Sequence, residues 1–319
     1  MGLAILCAGC WGTALAVTFA NNCPKEQIWF WGRSKYTNNL KGLVLPSNLY
    51  FTQDLDLIVN KFKDLLIAVP SGNFTELLKQ ILSKTKQPQE HRFSWATKGM
   101  DLSTNRFFSD IIADYLGTNS AMAVLSGPSF AQEVIDLIPT AVELAFNSRD
   151  IKFAQDLLLR LQAPHFQICF NNDLIGVQLA GVFKNVIAVA VGICDGLGYG
   201  ANTRAAIIAK SMKELLAMGS LLNANPLTFT GLAGIGDIIL TCCNDQSRNR
   251  RLGKLLANGC SVAQAKIEIG QAIESIDSVE SMYKMALKYQ INMPIVVTTR
   301  NILQAKISVS DGITGFFSN

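Results

Sequence analysis

One stretch constrains this chain more than any other. Residues 172–193 read NDLIGVQLAGVFKNVIAVAVGI, apolar or small at almost every position, with Lys184 and Asn185 in the middle. Length and composition predict a helix, and Asp173 is placed to cap it. A helix that is apolar all round lies in a protein core or in a membrane. A lysine at the centre of a spanning helix costs about 2.5–3.5 kcal/mol on insertion scales. In a core it is also costly unless something pairs with it. A structural ion pair, or a stem that reaches the surface, would account for Lys184 as well as chemistry would. The helix alone does not choose between them.

The chain of 319 residues has room for two domains, and its 49% hydrophobic content supplies a sizeable core. A formal charge of +4 fits an anionic small molecule and argues against nucleic acid, which calls for a concentrated basic face. The one basic cluster is Arg248, Arg250 and Arg251. Eight cysteines in a chain of this length do not make a secreted disulfide framework. Met1 leads straight into an apolar run, without a basic start or a cleavage site, so a reducing cytoplasm is expected. His91 and His165 both read as surface or loop residues, and no metal site is expected. With Lys184 at the centre of the single candidate span, no membrane span is expected either.

The first half alternates strands with helices. Apolar runs predict strands at 2–6, 27–31, 64–69, 93–97, 121–125, 140–146 and 166–170. Residues 70–73 read as a turn that can cap a helix from Phe74, and 149–161 as another helix. Repeated βα units imply a mainly parallel, doubly wound sheet, which binds ligands beyond the carboxyl ends of its strands. Lys98 and Ser129 fall at such ends, although ordinary loop residues fall there too. After Phe170 the strand pattern stops. The expected organisation is therefore an α/β domain over 1–171 and an all-helical domain over 172–319.

Between the first strand and its helix lies Cys7-Ala-Gly9-Cys10-Trp11-Gly12. The spacing is that of the dinucleotide-binding turn, with Gly9 and Gly12 as its second and third glycines and Cys7 in place of the first. A Cβ at that first position would cost about 1–2 kcal/mol if the residue needs a left-handed backbone. Cys7-x-x-Cys10 also fits a dithiol redox motif, a competing reading of the same residues. The second strand ends in Gly32-Arg33-Ser34 rather than an acidic residue. An arginine there can accept a ribose 2′-phosphate, which favours NADPH, although a solvated loop arginine would look the same.

Two glycine-rich turns follow the long helix, at 194–203 and at 230–237. Ser247-Arg248-Asn249 opens a helix at 252–257, with Ser247 placed to cap it, so backbone N–H groups and an arginine can face one anion. A solvated basic helix start is the plainer alternative. Further helices are expected at 204–218, 279–289 and 294–305.

Seven stretches together resemble the bacterial NAD(P)-dependent glycerol-3-phosphate dehydrogenases. They are AGCWGTALA from Ala8, GNFTELL from Gly72, WATKGM from Trp95, LSGPSFAQEV from Leu125, FKNVIAVAVGICDGLGYGANTRAAI from Phe183, TFTGLAGIGDIILTC from Thr228 and SRNRRLG from Ser247. The resemblance implies a Rossmann-type domain followed by a helical one, a homodimer, and reduction of dihydroxyacetone phosphate to sn-glycerol 3-phosphate, the phospholipid precursor. It implies that Lys184 is the proton donor and acceptor. It implies substrate contacts at Lys98, Gly127, Ser129, Asp237, Ser247, Arg248 and Asn249. At the nicotinamide cofactor it places Cys10, Trp11, Arg33, Lys98, Ala131, Arg248, Ala272 and Glu274, with the Gly9–Gly12 turn. Cys7, Cys10, Ala272 and Ser275 depart from the family pattern, all on the cofactor side.

In physical terms, hydride arriving at a ketone carbon leaves charge on oxygen, which needs a proton and a positive neighbour. A lysine ammonium can be both. Asp237 is the candidate carboxylate for it, Thr241 and Asn185 are expected to complete its hydrogen bonds, and Lys98 adds positive charge. Arg248 and Asn249 would grip the phosphate, with the substrate expected in a cleft between the domains. Two alternatives stand beside this reading: a β-hydroxyacid dehydrogenase, which would take a carboxylate in place of the phosphate, and a non-catalytic nucleotide-binding protein, suggested by Cys7 in the glycine turn.

Overall fold

The computed structural model describes residues 2–34 and 42–317. The chain divides into two compact units, one of Met1–Asp101 with Arg106–Leu174, the other of Leu102–Asn105 with Ile175–Asn319.

The first unit holds strands β1 (Leu3–Leu6), β2 (Ile28–Trp31), β3 (Leu49–Thr52), β4 (Asp64–Ile67), β5 (Arg92–Trp95), β6 (Met122–Ser126), β7 (Thr140–Phe146) and β8 (Phe166–Asn171). They form one sheet in the order β3-β2-β1-β4-β5-β6-β7-β8. Every neighbouring pair is parallel except β6 and β7. Helices α1 (Cys10–Asn22), α2 (Leu55–Lys61), α3 (Phe74–Lys84), α4 (Phe108–Leu116), α5 (Ala131–Ile135) and α6 (Ile151–Leu161) connect them. Strand order reverses beside β1, so the crevice beyond its carboxyl end is the topological switch point of the sheet.

Local sequence explains most of these elements. β1 is LAIL, buried at all four positions, as a strand covered on both faces must be. α3 buries Phe74, Leu77, Leu78 and Ile81, the i, i+3, i+4, i+7 stripe of an amphipathic helix. A 3₁₀ turn over Ser71–Asn73 leads into it, and Asn73 makes no side-chain cap, contrary to the turn-and-cap expectation. β3 gives no sequence signal because it is four residues long, lies at the sheet edge and buries only Leu49 fully.

β4 carries a charge into the core. Asp64 is fully buried, and both its oxygens are taken: Arg92 Nε and NH2 donate at 2.6 Å each and Arg160 NH1 at 2.7 Å. Such pairing is what makes a buried carboxylate tolerable. His91, expected at the surface, is only 5% exposed. It packs 6.1 Å from Phe93, its Nε2 lies 3.1 Å from Thr85 Oγ1, and burial lowers its pKa. The polar run before it hid a residue that turns inward at the start of β5.

The second unit is helical among its described residues: α7 (Leu174–Gly196), α8 (Ala201–Leu221), α9 (Pro226–Thr230), α10 (Asp237–Cys243), α11 (Arg248–Ala257), α12 (Val262–Ile269), α13 (Ser275–Lys288), α14 (Pro294–Leu303) and α15 (Val309–Phe317). α7 is long and apolar enough to cross a membrane, yet 89% of its most apolar window is buried within the protein, so it is a core helix. α11 crosses it at very short range. A Cβ added at Gly192 would sit 2.1 Å from Arg250 O, and one at Gly253 would sit 2.3 Å from Val189 O. Only glycine permits that approach of two backbones.

Candidate active site

The turn after β1 is built for close approach. Gly9 is extended (φ −78, ψ 174) and precedes α1, and Thr13 N–H donates to Gly9 O at 2.9 Å. A Cβ on Gly12 would lie 2.2 Å from Cys7 O, so the helix start rests directly on the strand end. Cys7 is absent from the residues with left-handed backbone, so its side chain costs no strain there. Its sulfur instead accepts the Gly9 N–H at 3.2 Å, and burial raises its thiol pKa. Cys10 is the first residue of α1, and both thiols are free. No acidic side chain occupies the first turn of α1, leaving its N–H groups suited to a pyrophosphate. A Cβ on Gly32 would meet Ala8 Cβ at 2.8 Å, which seats exposed Arg33 beside this turn. These residues fit a dinucleotide.

At the ends of β5 and β6, one carbonyl gathers two candidates. Lys98 Nζ donates to Gly127 O at 3.1 Å, and Ser129 Oγ donates to the same oxygen at 3.0 Å. Gly127 has φ 149, and a Cβ there would press within 2.9 Å of Val142 Cα. Glycine is therefore required, and Lys98, Gly127 and Ser129 stand together as expected. Ala131 opens α5 just beyond them.

The second unit answers why a lysine sits in α7. Lys184 Nζ lies 3.1 Å from Asp237 Oδ1 and donates to Thr241 Oγ1 at 3.2 Å. Thr241 in turn donates to Asp237 Oδ1 at 3.3 Å, one helical turn along α10. Asp237 is 1% exposed, and the Lys184 side chain 12%. Among the described residues no third acceptor takes the ammonium. The glycine-rich run before α10 makes the carboxylate's placement possible: Gly234 has φ −90, ψ −108, and a Cβ on it would clash with Phe229 O at 2.3 Å.

Asn185 departs from expectation. It does not join Thr241. Its amide donates to Ser278 Oγ at 3.2 Å and its oxygen accepts from Asn249 Nδ2 at 2.8 Å. Asn249 Oδ1 accepts the Ser275 N–H at 3.3 Å. About 100° round the helix from the lysine, Asn185 ties α7 to α11 and α13. Ser247 caps α11 as expected, accepting from Arg250 N at 3.2 Å. Arg248 NH1 donates to Ala272 O at 2.8 Å, so this arginine already touches the segment that holds Ala272 and Glu274. Glu274 directly precedes α13.

The basic cluster divides. Arg250 is 6% exposed and bound to Asp195 and Asp245, at 2.7 and 2.6 Å, so it is no free anion receptor. Asp195 and Arg204, which pair at 2.7 Å, escaped the sequence reading. The available signal was spacing: Asp195 follows Lys184 by about three helical turns on one apolar helix.

Comparison with known proteins follows the same division. A family model described as NAD-dependent glycerol-3-phosphate dehydrogenase N-terminus matches residues 2–152. Its C-terminus counterpart matches residues 173–314. The glycerol-3-phosphate dehydrogenase [NAD(P)+] of Haemophilus ducreyi is 39% identical, over 98% of this chain and 95% of its own length. That of Actinobacillus pleuropneumoniae is 42% identical, over 92% and 89%. The crystal structure of glycerol-3-phosphate dehydrogenase from Coxiella burnetii superposes with TM-score 0.93 at 35% identity, over 100% of this chain and 99% of that one.

Proposed function

The chain belongs to the NAD-dependent glycerol-3-phosphate dehydrogenase family, and on that premise we propose that it reduces dihydroxyacetone phosphate to sn-glycerol 3-phosphate with Lys184 as the proton donor. The observation that carries this is the Lys184–Asp237–Thr241 cluster, an ammonium in a core held by two groups among the described residues. When bound, the reduced nicotinamide supplies hydride to the ketone carbon. Lys184 then protonates the oxygen that gains charge, and Asp237 and Thr241 keep the amine aimed until it does. In the reverse direction the same amine takes the proton from the alcohol.

The other residues bind and orient. Arg248, Asn249 and the start of α11 after the Ser247 cap hold the substrate phosphate, whose binding energy orients the carbonyl. Lys98, Gly127 and Ser129 make further substrate contacts. Residues 1–171 supply the cofactor contacts at Gly9, Cys10, Trp11, Gly12, Arg33, Lys98 and Ala131, and residues 172–319 supply Arg248, Ala272, Glu274 and the chemistry. Arg33 favours NADPH over NADH. The protein acts as a cytoplasmic homodimer, and its product feeds phospholipid synthesis.

Initial rates decide the matter. Oxidation of NADPH and NADH is followed with dihydroxyacetone phosphate and with carboxylate-bearing keto acids. Turnover is expected with the ketose phosphate and faster with NADPH at limiting cofactor. Turnover confined to keto acids, or cofactor binding without turnover, would overturn the proposal.

A further inference from the structure

The close crossing of α7 and α11 raises a question of register. Glycines at 192 and 253 bring the two backbones together, and buried Leu252 and Leu256 set which face of α11 turns inward. Polar contacts set the finer aim. Asn249 reaches Asn185 at 2.8 Å. Arg250, the next residue, sends Nε to Asp195 Oδ2 at 2.7 Å, with 7% and 4% of the two side chains exposed. Asp195 Oδ1 is held at 2.7 Å by Arg204, so the carboxylate itself is fixed. Successive residues of a helix point about 100° apart. Fixing the direction of Arg250 therefore fixes the directions of Arg248 and Asn249.

We propose that Arg250 and Asp195 are a positioning pair, which aims Arg248 and Asn249 at the substrate phosphate without touching it. The proposal rests on the reading of those two residues as the phosphate grip. Arg250 is the member of the basic cluster that is buried and taken up by carboxylates of the protein itself, so its role at the helix start is to orient its neighbours. Asp245, with 75% of its side chain exposed, holds the far side of the same guanidinium from solvent and contributes little to aim.

The test compares Asp195→Asn, Arg250→Lys and Asp245→Asn with Arg248→Ala. Each is assayed on dihydroxyacetone phosphate and on dihydroxyacetone, which lacks the phosphate. Asp195→Asn and Arg250→Lys are expected to raise KM for the ketose phosphate about tenfold, the cost of one lost hydrogen bond. kcat, KM for the cofactor and kcat/KM on dihydroxyacetone should stay at parental values, as should every parameter of Asp245→Asn. Asp195→Glu, which restores a carboxylate, should recover part of the KM. Equal losses on both substrates would show a merely structural pair and overturn the proposal. So would an unchanged KM in Arg250→Lys while Arg248→Ala raises it. An unchanged KM in Arg248→Ala as well would instead overturn the phosphate reading beneath it. Should Asp195→Asn fail to fold, Arg250→Lys, which keeps the buried positive charge, gives the same discrimination.

Discussion

Replacing Lys184 with alanine removes two things at once, and the structure lets them be separated. The first is the proton donor. Positioned general acids contribute about 10²–10⁴ in rate, so kcat should fall by that factor. That is about 2.7–5.4 kcal/mol of barrier at about 1.36 kcal/mol per decade. The second is the cationic partner of Asp237, a carboxylate 1% exposed that also accepts from Thr241. Breaking a buried pair costs about 3–5 kcal/mol of stability, and the 12% exposure of the Lys184 side chain places this pair toward the lower figure. The single variant should therefore melt earlier and turn over slowly. The double variant Lys184→Ala, Asp237→Asn removes the stranded charge, so it should regain most of the lost stability and none of the lost rate. Thermal melts followed by circular dichroism, with initial rates of NADPH oxidation under saturating dihydroxyacetone phosphate, measure both. A folded Lys184→Ala variant with near-parental kcat would refute the assignment. Recovery of rate in the double variant would show that the loss came from destabilisation and not from chemistry.

Other expectations are equally direct. Arg33→Ala should raise KM for NADPH by about tenfold, as loss of one charge-assisted contact does, and leave KM for NADH unchanged; equal effects on both cofactors would remove Arg33 from the 2′-phosphate. Gly12→Ala places a methyl 2.2 Å from Cys7 O, so cofactor titration by Trp11 fluorescence should show binding weakened beyond measurement, and parental affinity would contradict the packing of α1 on β1. Glu214, 6% exposed, accepts Ile295 N–H at 2.6 Å at the start of α14, yet burial pushes its carboxyl up to about 7. The folded protein then keeps a proton that the unfolded chain has lost, so this contribution to stability is full below the ordinary glutamate range and disappears as pH rises through about 7. Melting temperature should fall across that window relative to Glu214→Gln, and parallel pH profiles of the two proteins would disprove it.

The sequence exposed the fold where periodicity was strong and hid it where burial is decided by distant partners. β1, β4 and the stripe of α3 are visible because their apolar spacing matches their environment on both sides. β3 is not, since a short edge strand needs few apolar residues, and the antiparallel turn of β7 against β6 leaves no mark in either strand's composition. In the site, the lone charge in an apolar helix shows that Lys184 needs a partner; the family resemblance is what singles out Asp237, and the one-turn spacing from 237 to 241 then puts Thr241 beside it. The partners of Asn185 were not, since an amide can bond in several directions and only the crossing of α7, α11 and α13 selects one. Arg250 looked like its neighbours in the basic cluster. Its burial depends on Asp195, which is 55 residues away in sequence.

The glycine-lined crossing of α7 and α11 also sets a length. The helix that carries Lys184 and the helix start that would hold the phosphate are two rods in main-chain contact, so the spacing of their backbones is fixed, and Asp237 and Thr241 hold the amine at the end of its side chain. On the proposed reaction, such an enzyme acts as a rigid gauge of the span from ketone to phosphorus. Ketose phosphates one carbon longer should be rejected at the level of kcat, and enlarging residues elsewhere around the site should not change which chain length is accepted.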